Sequence, residues 1–197
     1  MRKIFITAFI LILIDQIIKI WIKTNFILGE EIKIFDWFII HFTENNGMAF
    51  GMEFGGHTGK TLLTLFRIIV VGFGIKYAVD ITKTKLPNGA LISLGLIIGG
   101  AIGNIIDSTF YGMIFNESYN NVAQFLPKTG GYSSLLHGKV VDMLYFPLLN
   151  SHFPHWMPIF GGDHFIFFRP VFNIADSAIS IGIFMIILFY RRVFSLN

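Results

Sequence analysis

The 197-residue chain contains no cysteine, which excludes disulfides, thiol nucleophiles, zinc–cysteine sites and iron–sulfur clusters. Charge is scarce as well: 14% of residues are charged against 54% hydrophobic, and mean hydropathy is +0.67. That balance lies outside the range of soluble domains and inside that of multi-spanning membrane proteins. The net charge of +3 does not indicate a nucleic-acid partner, because the basic residues are scattered among apolar runs instead of forming a patch. No HExxH spacing joins the histidines, and no GxGxxG, Walker or GxSxG string occurs. No metal or cofactor is therefore expected, and His152 and His155 read as loop histidines at a membrane interface.

What is present in abundance is apolar sequence. Four windows are long enough to cross a bilayer, 4–22, 61–79, 89–108 and 172–190. The first follows Met-Arg-Lys like a signal peptide but is followed by no small-x-small cleavage site, so it is expected to be a retained helix. Arg2 and Lys3, the Lys76, Lys83 and Lys85 group, and Arg191 and Arg192 fall on one side of a four-span chain. The positive-inside rule makes that side cytoplasmic, which sends 23–60 and 109–171 to the periplasm. The expectation is one α-helical integral membrane domain over 1–197, with a small periplasmic β-sheet and a long second periplasmic loop. The sheet is expected in the first loop, from the β-formers of 32–42 and the turns of the run Gly47, Gly51, Gly55, Gly56 and Gly59. Trp21, Trp37 and Trp156 are suited to the headgroup level.

Against this background three carboxylates are conspicuous: Asp107, Asp142 and Asp176 each sit in strongly apolar surroundings. An ionisable side chain at bilayer depth costs roughly 2.5–3.5 kcal/mol on insertion scales, so one that is kept has a partner or a task. In span three Gly95, Gly99 and Gly103 form a small-xxx-small face for close helix approach. Gly100, Asn104 and Asp107 form a second stripe, expected to end at the outer surface. Asn173, Asp176 and Ser180 make a similar stripe at the start of span four, and the two are expected to face each other. Asn104 and Ser180 read first as hydrogen-bonding glue between helices. Asp15 and Lys19, at i and i+4, can neutralise each other. Asn45 and Gly47 fit an ordinary turn. Asp142 and Asp176 permit more: of two close carboxylates one holds a proton while the other is a base, which suits peptide hydrolysis.

Taken in order, Asp15-Gln-Ile-Ile-Lys19, Asn45-Asn-Gly-Met-Ala-Phe50, Gly99-Gly-Ala-Ile-Gly-Asn-Ile-Ile-Asp107, Val140-Val-Asp142 and Phe172-Asn-Ile-Ala-Asp-Ser177 resemble the bacterial lipoprotein signal peptidases, signal peptidase II. The resemblance implies four transmembrane helices, a periplasmic β-cradle and a catalytic aspartate dyad near the outer surface of the bacterial inner membrane. It implies removal of the signal peptide from prolipoproteins just before a diacylglyceryl-modified cysteine, without metal or cofactor. Carried over, the dyad is Asp142 and Asp176. Asn104 and Asn173 support it, and Asp15, Lys19, Asn45, Gly47, Gly100 and Asp107 are further motif positions. Prolipoproteins, membrane lipid and globomycin-type peptide inhibitors are the implied partners. The family commonly has Arg after the third-motif aspartate, where this chain has Ser108. That cation's role falls to another group, such as Lys139 or Arg169, or is dispensable. The cradle and the aromatic stretch of the second loop are expected to clamp substrate.

A second function class uses the same carboxylates: a proton-coupled membrane carrier with an acidic relay. Four spans without inverted repeats, and acids gathered at one surface instead of the midplane, count against it. A membrane assembly factor whose aspartates only join helices is a third class.

Overall fold

In the computed structural model, which describes residues 1–47 and 56–194, apolar runs become helices because backbone polar groups in hydrocarbon must be satisfied within the segment itself. The long helices are α1 (Arg2–Lys23), α2 (Gly56–Ile81), α3 (Asn88–Ile114) and α4 (Ile174–Met185), the last prolonged by a π turn at Ile186–Tyr190 and a short α5 at Arg191–Phe194. All four are long and apolar enough to cross a membrane. Their outer faces leave rings such as Phe5, Phe9, Phe66, Phe73 and Phe184 exposed, the pattern expected where lipid is the solvent.

α3 is the central helix, packed on α1 and on α4. Its glycines make both approaches possible. A methyl at Gly99 would stand 2.8 Å from Ala8 Cα and one at Gly95 2.8 Å from the Ile4 carbonyl, whereas a methyl at Gly100 would strike the Ala175 carbonyl of α4. The Gly95, Gly99 and Gly103 face thus meets α1, and Gly100 meets α4.

A four-stranded antiparallel sheet stands at one end of the bundle, in the order β1 (Glu31–Phe35), β2 (Phe38–Asn45), β3 (Val140–Tyr145), β6 (Val171–Phe172). A separate hairpin, β4 (Leu149–His152) with β5 (His164–Phe167), connects β3 to β6. Three expectations are corrected here. The sheet is not confined to the first loop, because the apolar Val140-Val-Asp-Met-Leu-Tyr segment supplies a central strand. Gly56 and Gly59 belong to α2 and not to turns, whereas Gly51 and Gly55 lie outside the described residues. α3 runs to Ile114, past the expected end at 108, so Asp107 lies inside a helix and is wholly buried. The junction of sheet and helices is filled by Ile22, Phe26, Phe42, Tyr111, Phe115, Ala123, Val141 and Met143, which draws part of the second loop into the core.

Candidate active site

Asp142 occupies the middle of β3, opposite Thr43 on β2, where the β2–β3 register shifts between Ile40 and Thr43. Such irregularities re-aim side chains beside sites. The residue is 4% exposed. Asn173 Nδ2 donates to its Oδ1 at 2.7 Å, and Asn45 Nδ2 donates to its Oδ2. Burial pushes the Asp142 carboxyl up to about 7, and the neighbouring charge of Asp176 adds to the rise. The Asn45 hydrogen bond, the Lys19 charge and the Asn173 hydrogen bond act against it.

Asp176 lies in the first turn of α4, where the helix dipole favours an anion. It forms a capping box with Asn173: the Asn173 Oδ1 accepts from Asp176 N at 2.9 Å, and Asp176 Oδ2 receives Asn173 N at 3.5 Å. The other carboxylate oxygen accepts from Asn104 Nδ2 at 2.7 Å. Asn173 Nδ2 also lies 3.1 Å from Asn104 Oδ1. The two carboxylates are therefore joined through two asparagines, from Asp142 to Asn173 to Asn104 to Asp176.

Beneath this chain lies a buried ionic cluster. Lys19 Nζ stands 2.9 Å from Asp15 Oδ2, 2.7 Å from Asp107 Oδ2 and 2.8 Å from Asn104 Oδ1. The i, i+4 pair of the sequence is thus a three-residue cluster, with one ammonium shared by two carboxylates. Each acid also holds a neighbouring element. Asp15 Oδ1 accepts from Ala175 N at 3.0 Å, tying α1 to the first turn of α4. Asp107 accepts from Gln16 Nε2 at 2.9 Å and from Val141 N at 3.4 Å, the residue before Asp142. Tyr111 Oη donates to Gln16 Oε1 at 3.1 Å. Removing one member of such a cluster strands a buried charge, at a cost of about 3–5 kcal/mol.

The expected confrontation of stripes holds for Asn104, Asn173 and Asp176 and fails for Ser180, which is exposed; on the curve of a helix it turns away from the α3 contact. Gly47 has φ +92°, in the left-handed region, and a Cβ there would fall 3.1 Å from Arg67 Cζ, so glycine is required on two counts. Ser108 is buried and its Oγ has no hydrogen-bond partner among the described residues. Neither proposed replacement for the family's arginine pairs with a dyad carboxylate among the described ion pairs. Lys139 faces Glu44 and Glu117 at 3.6 and 3.5 Å, and Arg169 is exposed. Arg67 of α2 is a cation within electrostatic reach of Asp176.

Sequence reasoning missed Gln16, Tyr111, Arg67 and the buried Lys23. Lys23 is ion-paired with Glu44 and bonded to Ser118 Oγ at 2.8 Å. This pair seats the second loop on α1 and holds β2 one residue before Asn45. A signal was available for Gln16, a polar residue within an apolar span beside Asp15; Lys23 had none, since a lysine at a helix end is ordinary. His152 pairs across the hairpin with His164, and no group of three or more metal-ligating side chains gathers among the described residues.

The sequence profile of signal peptidase (SPase) II matches residues 7–192, a stretch holding every site residue named above. The chain belongs to the signal peptidase II family. The lipoprotein signal peptidase of Porphyromonas gingivalis is 50% identical over 188 residues, which cover 95% of this chain and 82% of that one. That of Amoebophilus asiaticus is 39% identical, covering 92% and 74%, and that of Chlorobium phaeobacteroides is 30% identical, covering 99% of both. Two solved structures described as bacterial membrane enzymes share the fold at a TM-score of 0.60. They are 23% and 22% identical and cover 99% and 100% of this chain and 91% and 96% of theirs. In this signal peptidase II family member the carboxylate pair, Asp142 buried and Asp176 half-buried, stands where described residues of all five stretches meet, Lys19, Asn45, Asn104, Asp142 and Asn173 among them.

Proposed function

We propose that this signal peptidase II family member is an aspartic endopeptidase of the bacterial inner membrane, with Asp142 and Asp176 as its catalytic dyad. It removes the signal peptide from diacylglyceryl-modified prolipoproteins, cutting before the lipid-modified cysteine. The observation that supports this most is the hydrogen-bonded chain Asp142–Asn173–Asn104–Asp176, with Asp142 raised to about 7. Two carboxylates so close share one proton near neutral pH, and in this reading Asp142 carries it while Asp176 serves as the base. Asp176 takes a proton from water as its oxygen bonds to the scissile carbonyl carbon. Asp142 then delivers its proton to the leaving nitrogen as the C–N bond breaks. The proton gained by Asp176 leaves the dyad singly protonated again.

The positive clusters at the end of the bundle away from the sheet support a periplasmic placement of the dyad. There the acyl chains of substrate can remain in lipid while the amide reaches the polar site, and globomycin-type peptides compete for the same place. Incubating the purified protein with a diacylglyceryl-modified prolipoprotein tests the reading. Cleavage before the modified cysteine, lost in Asp142→Asn and Asp176→Asn, is expected; cleavage by either variant at the native rate removes that residue from the mechanism.

A further inference from the structure

Helix α2 carries Lys60, Thr64 and Arg67 at i, i+4 and i+7, one polar stripe on a largely apolar helix. Its buried residues are Lys60, Thr64 and Ala78, so the sheet end of α2 is held largely by polar contacts. Each member of the stripe donates to a loop carbonyl. Lys60 Nζ bonds Asn46 O at 2.6 Å, Arg67 Nη2 bonds Gly47 O, and Thr64 Oγ1 bonds Leu136 O at 3.1 Å. The two cations thus grip successive carbonyls immediately after Asn45. Asn45 in turn holds Asp142 through Nδ2 and receives Gly47 N on Oδ1.

Burying a lysine and half-burying an arginine against neutral carbonyls is costly where an apolar side chain would pack as well. Part of the cost is offset nearby: Arg67 and Lys139 repel Lys60, but Asp107 attracts it, and Asp176 lies within electrostatic reach of Arg67. Both cations thus grip the loop while feeling the field of an acid of the site.

We infer that Lys60 and Arg67 are positioning residues of the dyad, holding residues 45–47 by consecutive carbonyls so that Asn45 stays against Asp142. The inference rests on the dyad reading above. The charged groups facing Asp142 itself are Asp176 from α4 and Lys19 from α1; β2 contributes the uncharged Asn45. Because the Asn45 hydrogen bond opposes the rise of the Asp142 carboxyl, slackening the grip moves the loss of activity at alkaline pH upward, as truncation of Asn45 does.

The test uses full-length protein in lipid with a synthetic diacylglyceryl-modified prolipopeptide, in the variants Lys60→Gln, Arg67→Gln, Arg67→Lys and Asn45→Ala. Expected are a drop in kcat of about tenfold for each glutamine variant with KM within about twofold, and recovery of most of it in Arg67→Lys. Asn45→Ala combined with Arg67→Gln should fall no further than Asn45→Ala alone, since both act through one contact. Fully multiplicative losses, or a raised KM with kcat intact, overturn the inference. Native protein that cleaves nothing overturns the peptidase reading instead, and a second measurement then judges the grip by itself. Amide exchange at Gly47 should accelerate in Arg67→Gln and Lys60→Gln; unchanged protection in both refutes it.

Discussion

Replacing Asp142 by asparagine should abolish catalysis and, above neutral pH, stabilise the fold. The Asp142 carboxyl lies at about 7 in the protein against 3.8 for an ordinary aspartate. Below about pH 4 it is protonated both folded and unfolded and contributes no pH dependence. As pH rises from there to about 7 the unfolded chain ionises freely and the native site does not, so native stability falls. At about 1.4 kcal/mol per decade of proton affinity, the full loss is roughly 4 kcal/mol. With Asp142 only 4% exposed, little of that is screened. The asparagine variant carries no such penalty. It does offer one acceptor where Asn45 and Asn173 each direct a donor at a carboxylate oxygen, and a misdirected donor costs about 1–3 kcal/mol at every pH. The variant should therefore be somewhat less stable than native protein near pH 4 and more stable by about 1–3 kcal/mol near pH 8. Equilibrium unfolding in mixed micelles, followed by tryptophan fluorescence at both pH values, reads the difference. A stability gap between variant and native that is the same at both would refute the claim that burial raises this carboxyl.

The same carboxyl sets the pH dependence of cleavage: kcat/KM should decline above about 7, where the acid form of Asp142 is lost, and a rate still rising at pH 9 would deny it the role of acid. Gly100→Ala places a methyl against the Ala175 carbonyl and should lower stability by about 1–3 kcal/mol, seen as a lower Tm; because Ala175 N is held by Asp15, activity should fall with it. Asn173→Ala removes both a helix cap and a donor to Asp142, at about 1 kcal/mol for the cap alone, and should lower Tm and activity together. For topology, a reporter fused after Arg192 should behave as cytoplasmic and one inserted near Gly130 as exported; the reverse would put the dyad on the wrong side for exported substrates.

Four apolar helices, the conspicuous aspartates and the facing of the Asn104 stripe by that of Asn173 and Asp176 were legible in the sequence, because each follows from a local rule. A bilayer requires backbone hydrogen bonds to close within a segment, so hydropathy and length alone define spans. Helical spacing put Asn104 and Asp107 on one side of α3 and Asn173 and Asp176 on one side of α4. The same reasoning put Ser180 on that stripe, and there it failed, since the side of α4 that packs on α3 runs through Ala175, Ile179 and Gly182 and leaves Ser180 facing away. Only the tertiary structure decided that Asp142 sits on a central strand, because strand pairing joins β2 and β3 across nearly a hundred residues and leaves no local mark. Only it brought Arg67 to Asp176 and Gly47, and sent Lys139 to Glu44 instead of the dyad. A buried charge takes its partners from whatever elements packing brings within a few ångströms, and that packing is a property of the whole chain.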